Sequence, residues 1–470
     1  MKKMKQLTAL LLALLLAACS AAGAPHSGTQ PIQAQASSSA QAAPPAPEVY
    51  FLQDLTPCVQ DSASPDGKCY YFPVTTWQYH VGNYIVELDG GTGRAEPICH
   101  DPACSHSDES CSAFFPMNLG GRENVYLVDG QLLVTLSGNA WADGDLGFLI
   151  LCDVNGANRR EVCKLGEGES FSGGMATDGQ AVYATIQNEA AATLQLVRIE
   201  LATGQRTALY TWNTAVPEDR DGYAFIFPTS ASLFAAAGRS LYLRGYELTC
   251  VRYDPEKGEG LSLSQSIPPD TLSRYDLDTD TLTPVLTGKA EETYGLVLGK
   301  ELYQIRAADM ALLRTQLDTG SVEVLRAPYT DRPLPVPGQP NGTDGGETEV
   351  YGMAPMIDGA IDGLLLITNE IPGEGVQAEE YAVDPATGEE TPLPLRAVGH
   401  WRSQPLYIGG RCGGKLLVKM DEVYRTAVAQ GPDGSTGTYE TVDFQWALLS
   451  IDDYLAGRPN YTPVDGPGPM

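Results

Sequence analysis

Thirteen residues concentrate the metal-ligating chemistry of this chain. The stretch "CHDPACSHSDESC", from Cys99 to Cys111, holds three cysteines and two histidines. Cys99, Cys104, His106 and Cys111 read as C-x4-C-x-H-x4-C. Three thiolates and one imidazole make a complete tetrahedral shell for zinc. Asp101-Pro102 would turn the chain between the first two ligands. His100 is a poorer ligand than His106, because its backbone neighbour Cys99 makes joint ligation awkward. The spacing is not that of a standard zinc finger. Disulfide bonding competes for the same sulfurs, since cysteines outside the cytoplasm usually pair. Either chemistry is structural and would staple a long excursion to the fold. A catalytic ion would need an open position and a nearby base, and no such base is evident.

Nine cysteines remain when Cys19 is set aside. Cys152 and Cys163 flank the turn "DVNGANRREV", and Cys58 and Cys69 flank "SPDG". Each pair can form a disulfide if its members face one another across a hairpin. Nine is odd, so at least one thiol stays unpaired or binds metal.

The N-terminus sets the expected compartment. "MKKMKQLTALLLALLLAACS" has a basic head, an apolar run and a small-residue cut site, the pattern of a secretory signal. Leu16-Ala17-Ala18-Cys19 resembles the lipobox of bacterial lipoproteins, in which the cysteine is acylated (a palmitate-type chain) after cleavage. Residues 1–18 are then the signal peptide. Residues 19–47 are nearly all Ala, Ser, Gln, Pro or Gly, which cannot bury enough apolar surface to fold. They read as a tether reaching on the order of 30 Å. Residues 48–470 are one domain. The expected location is extracytoplasmic, lipid-anchored to the bacterial cell membrane, with the body a monomer.

The full chain carries a formal charge of −29 at pH 7. Such a body repels nucleic acid and anionic membrane surfaces. There is no G-x-S-x-G elbow, no Walker loop and no H-E-x-x-H. The five histidines, His26, His80, His100, His106 and His400, lie in no recognisable triad. "DLDTDT" from Asp276 and "DVNGAN" from Asp153 look like calcium loops but lack the length and the closing Glu. They read as hairpin turns.

The elements that must position the cysteine stretch are repeated strands. One phrase, an alternating strand followed by a turn rich in Asp, Asn, Thr and Gly, begins at Tyr84, Phe148, Leu196, Leu272, Leu312, Glu379 and, degenerately, Ala447. A second phrase, a Gly-marked turn with an aromatic-aliphatic strand, precedes most copies. Two hairpins per unit make four strands, and such units repeated about an axis form a β-propeller. The fold expected is all-β: seven blades of four antiparallel strands. A β-sandwich array is the rival. "PEVYFLQDL" from Pro47 is expected to complete the last blade and close the ring. The Pro/Gly-rich segment from Ala327 is a loop between units.

The lipobox, the tether and the "LDTG"-type hairpins resemble a group of extracytoplasmic lipoproteins from Firmicutes. The phrase C-x-D-P-x-C-x-H (Cys99, Asp101, Pro102, Cys104, His106) is similar to one near the start of those propellers. That resemblance implies a fold and an address more than an activity. More remotely, the repeats look like TolB-type and quinoprotein-type propellers. Two functions compete. One is a cell-surface platform binding a peptide, a glycan or a partner protein, with aromatics such as Trp77, Tyr79, Trp141, Tyr223, Phe225, Trp401 and Trp446 lining a face. The other is an extracellular hydrolase or lyase with a site at the central channel. Convergent carboxylates, His or Arg at the channel mouth would favour the second.

Overall fold

Strand pairs with apolar residues on both faces must be covered on both sides, and here each sheet is covered by its two neighbours. In Gln131–Leu136, Leu132 and Val134 face one adjoining sheet and Leu133 faces the other, all at 0% exposure. The computed structural model describes residues 46–52, 67–73, 84–115, 123–136, 146–252, 270–287, 295–306, 310–326, 355–371, 377–397, 404–430 and 436–468. Contacts divide the chain into two units, Met1–Ala46 and Pro47–Met470. Nearly all described residues belong to the second.

The described residues of that unit form seven antiparallel meanders and a two-stranded ribbon; the third and fourth meanders are joined by one parallel bridge, Leu233 to Gly173, and with Tyr50–Leu52 make a nine-stranded sheet. Blade 1 is Lys68–Tyr71, Val86–Asp89 and Ala95–Pro97. Blade 2 is Glu123–Val128, Gln131–Leu136, Phe148–Asp153 and Arg160–Lys164. Blade 3 is Glu169–Thr177, Ala181–Asn188, Thr193–Glu200 and Arg206–Asn213. Blade 4 is Ser230–Ala237, Ser240–Tyr246, Thr271–Asp276 and Thr281–Thr287. Blade 5 is Gly295–Leu298, Glu301–Arg306, Ala311–Gln316 and Val322–Arg326. Blade 6 is Met356–Ile361, Leu364–Ile371, Gln377–Val383 and Glu390–Leu393. Blade 7 is Tyr407–Cys412, Lys415–Gln430, Thr436–Ser450 and Thr462–Pro463.

Seven apolar clusters fill the seven seams between these sheets. Tyr70, Ile85 and Leu132 join blades 1 and 2; Leu133, Leu149 and Val182 join blades 2 and 3. The series continues through blades 3–4, 4–5, 5–6 and 6–7. The last cluster joins Cys69 and Leu88 of blade 1 to Cys412, Leu417 and Leu448 of blade 7. Sheets that pack in chain order, with the last on the first, form a closed ring. The fold is a β-propeller of seven blades, as the repeats predict.

Ring closure differs from the expectation. The strand Tyr50–Leu52 does not complete blade 7. It pairs antiparallel with the inner strand of blade 3, Tyr50 opposite Thr177, and Val49 N–H donates to Gly238 O at 2.7 Å. Val49, which is buried, and Phe51 fill the gap between the inner strands of blades 3 and 4, while Leu52 is buried in the seam of blades 2 and 3. The C-terminus makes the closure instead. Val464 N donates to Trp446 O in blade 7, then Asp465 N donates to Gly93 O and Ala95 N to Asp465 O in blade 1, at 2.8–2.9 Å. The degenerate last repeat is explained by a short helix, Ile451–Leu455, that replaces a hairpin turn. Ser450 caps it, its Oγ accepting from Asp453 N at 3.1 Å.

The "LDTG" turns have a packing role. The turn between the two outer strands of blade 3 lies on the outer strand of blade 2. At Gly204 (φ 72°), a Cβ would sit 2.1 Å from Val162 O. Glycine meets both the left-handed backbone and the close approach.

The meanders also sort their connections by side. The turns after the first strand of blades 2 to 7 are short: 129–130, 178–180, 238–239, 299–300, 362–363 and 413–414; in blade 1 the first described strand is followed by the longer segment 72–85. The crossings to the next blade leave on the other side; 98–122, 214–229, 327–355 and 394–406 are long, whereas 288–294 is shorter and 165–168 has only four residues. The two sides are here called the turn face and the loop face. The ribbon Tyr223–Phe227 with Thr249–Arg252, which carries Tyr223 and Phe225, belongs to the loop side.

Candidate metal centre

The cysteine stretch interrupts the outer strand of blade 1. Ile98 N donates to Ile85 O at 3.1 Å, and fifteen residues later the same Ile85 donates its N–H to Ala113 O at 3.0 Å. Tyr84 and Phe114 then form a further bridge. The strand therefore leaves at Ile98, loops out through Cys99–Cys111, and resumes at Ala113. The resumption was not legible in the repeats, because the phrase "SAFF" carries no turn signal.

Two matching turns deliver two of the candidate ligands. In Asp101-Pro102-Ala103-Cys104, Cys104 N donates to Asp101 O and Ala103 N to Asp101 Oδ1. In Asp108-Glu109-Ser110-Cys111, Cys111 N donates to Asp108 O and Ser110 N to Asp108 Oδ1. The Asp side chain closes each turn on its own backbone. His106 lies between them with φ 53°, so the chain reverses and points its ring inward.

The four predicted ligands converge. The thiols of Cys99, Cys104 and Cys111 and a ring nitrogen of His106 lie within 4.8 Å of one another. His106 Nδ1 is 3.1 Å from Cys99 Sγ and 3.4 Å from Cys111 Sγ. Backbone amides point at sulfur: His106 N to Cys104 Sγ at 3.4 Å and Ala113 N to Cys111 Sγ at 3.3 Å. Such donors favour thiolates. Burial pushes the Cys99 thiol up to about 11, aided by the other two thiols. Burial also acts upward on Cys111, but hydrogen bonds from His106, the Ala113 amide and the neighbouring thiols outweigh it and bring it to about 7. His100, by contrast, is turned to Glu96, with Nδ1 3.3 Å from its carboxylate.

The loop is locked to blade 2. Ser112 Oγ donates to Asn155 O at 2.8 Å, and the Arg159 guanidinium sits 3.9 Å over the Phe115 ring and donates to Ser112 O. A Cβ at Gly156 would fall 1.8 Å from Ser112 O. The "DVNGAN" segment is thus a hairpin turn that carries the rim of blade 1. It closes through Gly156 N to Asp153 O and Asn158 Nδ2 to Asp153 Oδ2. In "DLDTDT", Asp276 Oδ1 accepts from Asp278 N and Thr279 N, again a turn.

The disulfide candidates are placed as follows. Cys152 and Cys163 are free thiols and do not meet. Cys163 is opposite Leu149, three residues from Cys152, so the two lie on opposite faces of blade 2. Cys152 is buried in the seam with blade 1 and Cys163 in the seam with blade 3. Cys69 is buried in the seam of blades 1 and 7; Cys58 lies outside the described residues, as do Cys19, Trp77, Tyr79, Trp141 and Trp401. Trp446 is buried, 4% exposed.

A buried carboxyl that the sequence pattern does not flag lies between blades 6 and 7. Glu380 is 5% exposed and accepts from Tyr454 Oη at 2.6 Å. Burial raises it from 4.5 to about 7; Tyr454 and Arg396 act downward and Asp358 upward. The folded state binds this proton more tightly than the unfolded chain. Its contribution to stability is full below about pH 4.5 and is lost as pH rises to 7. The loss is on the order of 3 kcal/mol. Glu380→Gln should therefore match the parent at pH 4.5 and exceed it in Tm at pH 8. Thermal melts at both values check this; a variant less stable than the parent at pH 8 would refute it.

No family model matches the chain, and no curated protein matches it. Solved structures are similar to it at low identity. TolB from Acinetobacter baumannii is 12% identical with a TM-score of 0.30, over 69% of this chain and 65% of that one. An oligogalacturonate lyase in complex with manganese is 13% identical with a TM-score of 0.35, over 67% of this chain and 83% of that one. A putative 6-phosphogluconolactonase from Bacteroides uniformis is 12% identical with a TM-score of 0.39, over 85% of this chain and 98% of that one. The chain spans about two thirds of the TolB it matches. The β-propeller is accordingly read from the chain's own seven meanders and seven seams.

Proposed function

We propose that this protein is a lipid-anchored, extracytoplasmic binding platform whose rim is held by one structural zinc. The observation that carries the reading is the sorting of most long segments to one side of the ring. A rigid scaffold with its variable length on one face is built to present a binding surface. The chain enters the ring from the opposite side: Pro47 O accepts from Arg239 in the turn 238–239.

Zinc fits the donor set of Cys99, Cys104, His106 and Cys111. Four protein ligands close the shell and leave no position for substrate, so the ion would be structural. The ligand is a peptide, glycan or partner protein. The hydrolase or lyase reading gains no support from Glu380, which is sealed in a seam.

The test pairs two measurements on the full chain. Labelling with radioactive palmitate in cells should mark the parent and not Cys19→Ala. Arrays of peptides and of neutral and acidic glycans should then give binding that is lost on substituting loop-face aromatics such as Phe225. Binding should survive substitution of Val322 on the outer strand of blade 5. Release of cleaved product from the array would instead favour the hydrolase or lyase.

A further inference from the structure

A cavity of about 250 Å³ opens on the loop face at the root of blade 7. Its walls include Gln404, Pro405, Tyr407, Lys419, Asp421 and Glu422. We infer that this cavity is a subsite for one uncharged sugar ring of a neutral glycan. The inference rests on the binding-platform reading and names the ligand class of that face.

Tyr407 supplies the platform. It opens the inner strand of blade 7 and is 45% exposed, among the largest apolar exposures described. The ring is nonetheless fixed. Trp446 meets it edge-on at 6.1 Å, and the Lys419 ammonium lies 5.1 Å from its centre. A rigid, half-exposed aromatic beside polar groups suits a ligand with one apolar C–H face and a rim of hydroxyls.

The polar wall owes its shape to a β-bulge. The register slips between Lys419 and Asp421, opposite Trp446 and Gln445. A bulge re-aims side chains; here Lys419, Asp421 and Glu422 all line the same cavity. They are held in place. Glu422 Oε1 accepts from Lys419 Nζ at 2.8 Å, its Oε2 accepts from Tyr424 Oη at 3.2 Å, and Asp421 Oδ1 accepts from Glu422 N at 2.8 Å. Gln404 faces them from the crossing between blades 6 and 7, where Ala397 N donates to its carbonyl at 3.1 Å. Oriented carboxylates and an amide are acceptors and donors set for hydroxyl groups.

Charge narrows the ligand. Lys419 already holds the cation position over Tyr407 and also lies 4.8 Å from the Phe444 ring, so the place a basic group would take on that ring is filled. Asp421, Glu422 and a chain charge of −29 repel an anionic one. The size, just under the roughly 300 Å³ at which small-molecule pockets usually begin, admits one ring at a time.

The experiment is calorimetric titration of the full chain with cellotetraose, chitotetraose, mannotetraose and, as the anionic comparison, tetragalacturonate. At least one neutral tetrasaccharide should bind. Tyr407→Ala should weaken it at least tenfold, Tyr407→Phe by less than threefold, and Asp421→Asn by a factor between. Tyr210→Ala, an exposed tyrosine on blade 3, should change nothing. Melting curves confirm that each variant folds. No neutral binding, preference for tetragalacturonate, or affinity unmoved by both Tyr407→Ala and Asp421→Asn overturns the inference. If the array of the preceding section shows a loop-face ligand that these two variants leave intact, the platform stands and the sugar subsite falls.

Discussion

The full chain, purified without chelator or reductant, should carry one zinc, and Cys99→Ser, Cys104→Ser or Cys111→Ser should each lose it. The loop itself has few other reasons to stay closed. Both its ends are pinned on Ile85, but between them the chain is turns, with exposed residues at Asp101, Pro102 and Ala103. Cys111 and Ala113 are buried against Tyr70, Ile85 and Leu132, so an opened loop disturbs the seam of blades 1 and 2. Zinc present at a thousand times its Kd stabilises the native state by about 4 kcal/mol. At about 2 °C per kcal/mol for a chain of this size, Tm should fall by about 8 °C on metal loss. His100→Ala should keep the metal, since His100 is turned to Glu96. Elemental analysis, thiol titration and melts check this. No bound metal, with two of the three thiols unreactive until reductant is added, would make the stretch a disulfide staple and sink the zinc assignment.

Legibility in the sequence followed the range of the interactions. Hairpins are local, and the turns from Asp153 and Asp276 fold as their Asp, Asn, Thr and Gly residues require. Blade number follows from counting hairpins. The convergence of Cys99, Cys104, His106 and Cys111 was legible because thiols and imidazoles are scarce and here lie within thirteen residues. What escaped depends on distant partners. Cys152 and Cys163 flank one turn, yet a shifted register between Leu149 and Ile150 decides which faces they take. Tyr50–Leu52 has the composition of any buried strand, and nothing within it says whether the gap is in blade 7 or between blades 3 and 4. The cavity at Tyr407 depends on a bulge, which leaves no mark in the residues around Lys419. Glu380 is one acid among 59 acidic residues; only the seam that buries it sets it apart.

Truncation from Val464 onward should open the ring, whereas removal of Glu48–Leu52 should weaken it without opening it. The C-terminal segment makes four hydrogen bonds across or beside the seam of blades 7 and 1: Val464 N to Trp446 O, Asp465 N to Gly93 O, Ala95 N to Asp465 O, and Tyr71 Oη to Pro467 O. At about 1 kcal/mol each they contribute about 4 kcal/mol. Their loss also bares the outer edge of blade 1 and the face of Trp446 that Gly468 covers. The N-terminal strand buries Val49 and Leu52, at about 1.5–3 kcal/mol each, so the two deletions should lower Tm by similar amounts. Amide exchange separates them. Ala95, whose N–H is held by Asp465 O, should exchange orders of magnitude faster in the C-terminal truncation and stay protected in the N-terminal one. Met175, on the inner strand of blade 3 beside Leu52, should report the reverse. If Ala95 stays protected after the C-terminal truncation, the seam is held by the cluster of Cys69, Leu88, Cys412, Leu417 and Leu448 alone, and the tail is no clasp.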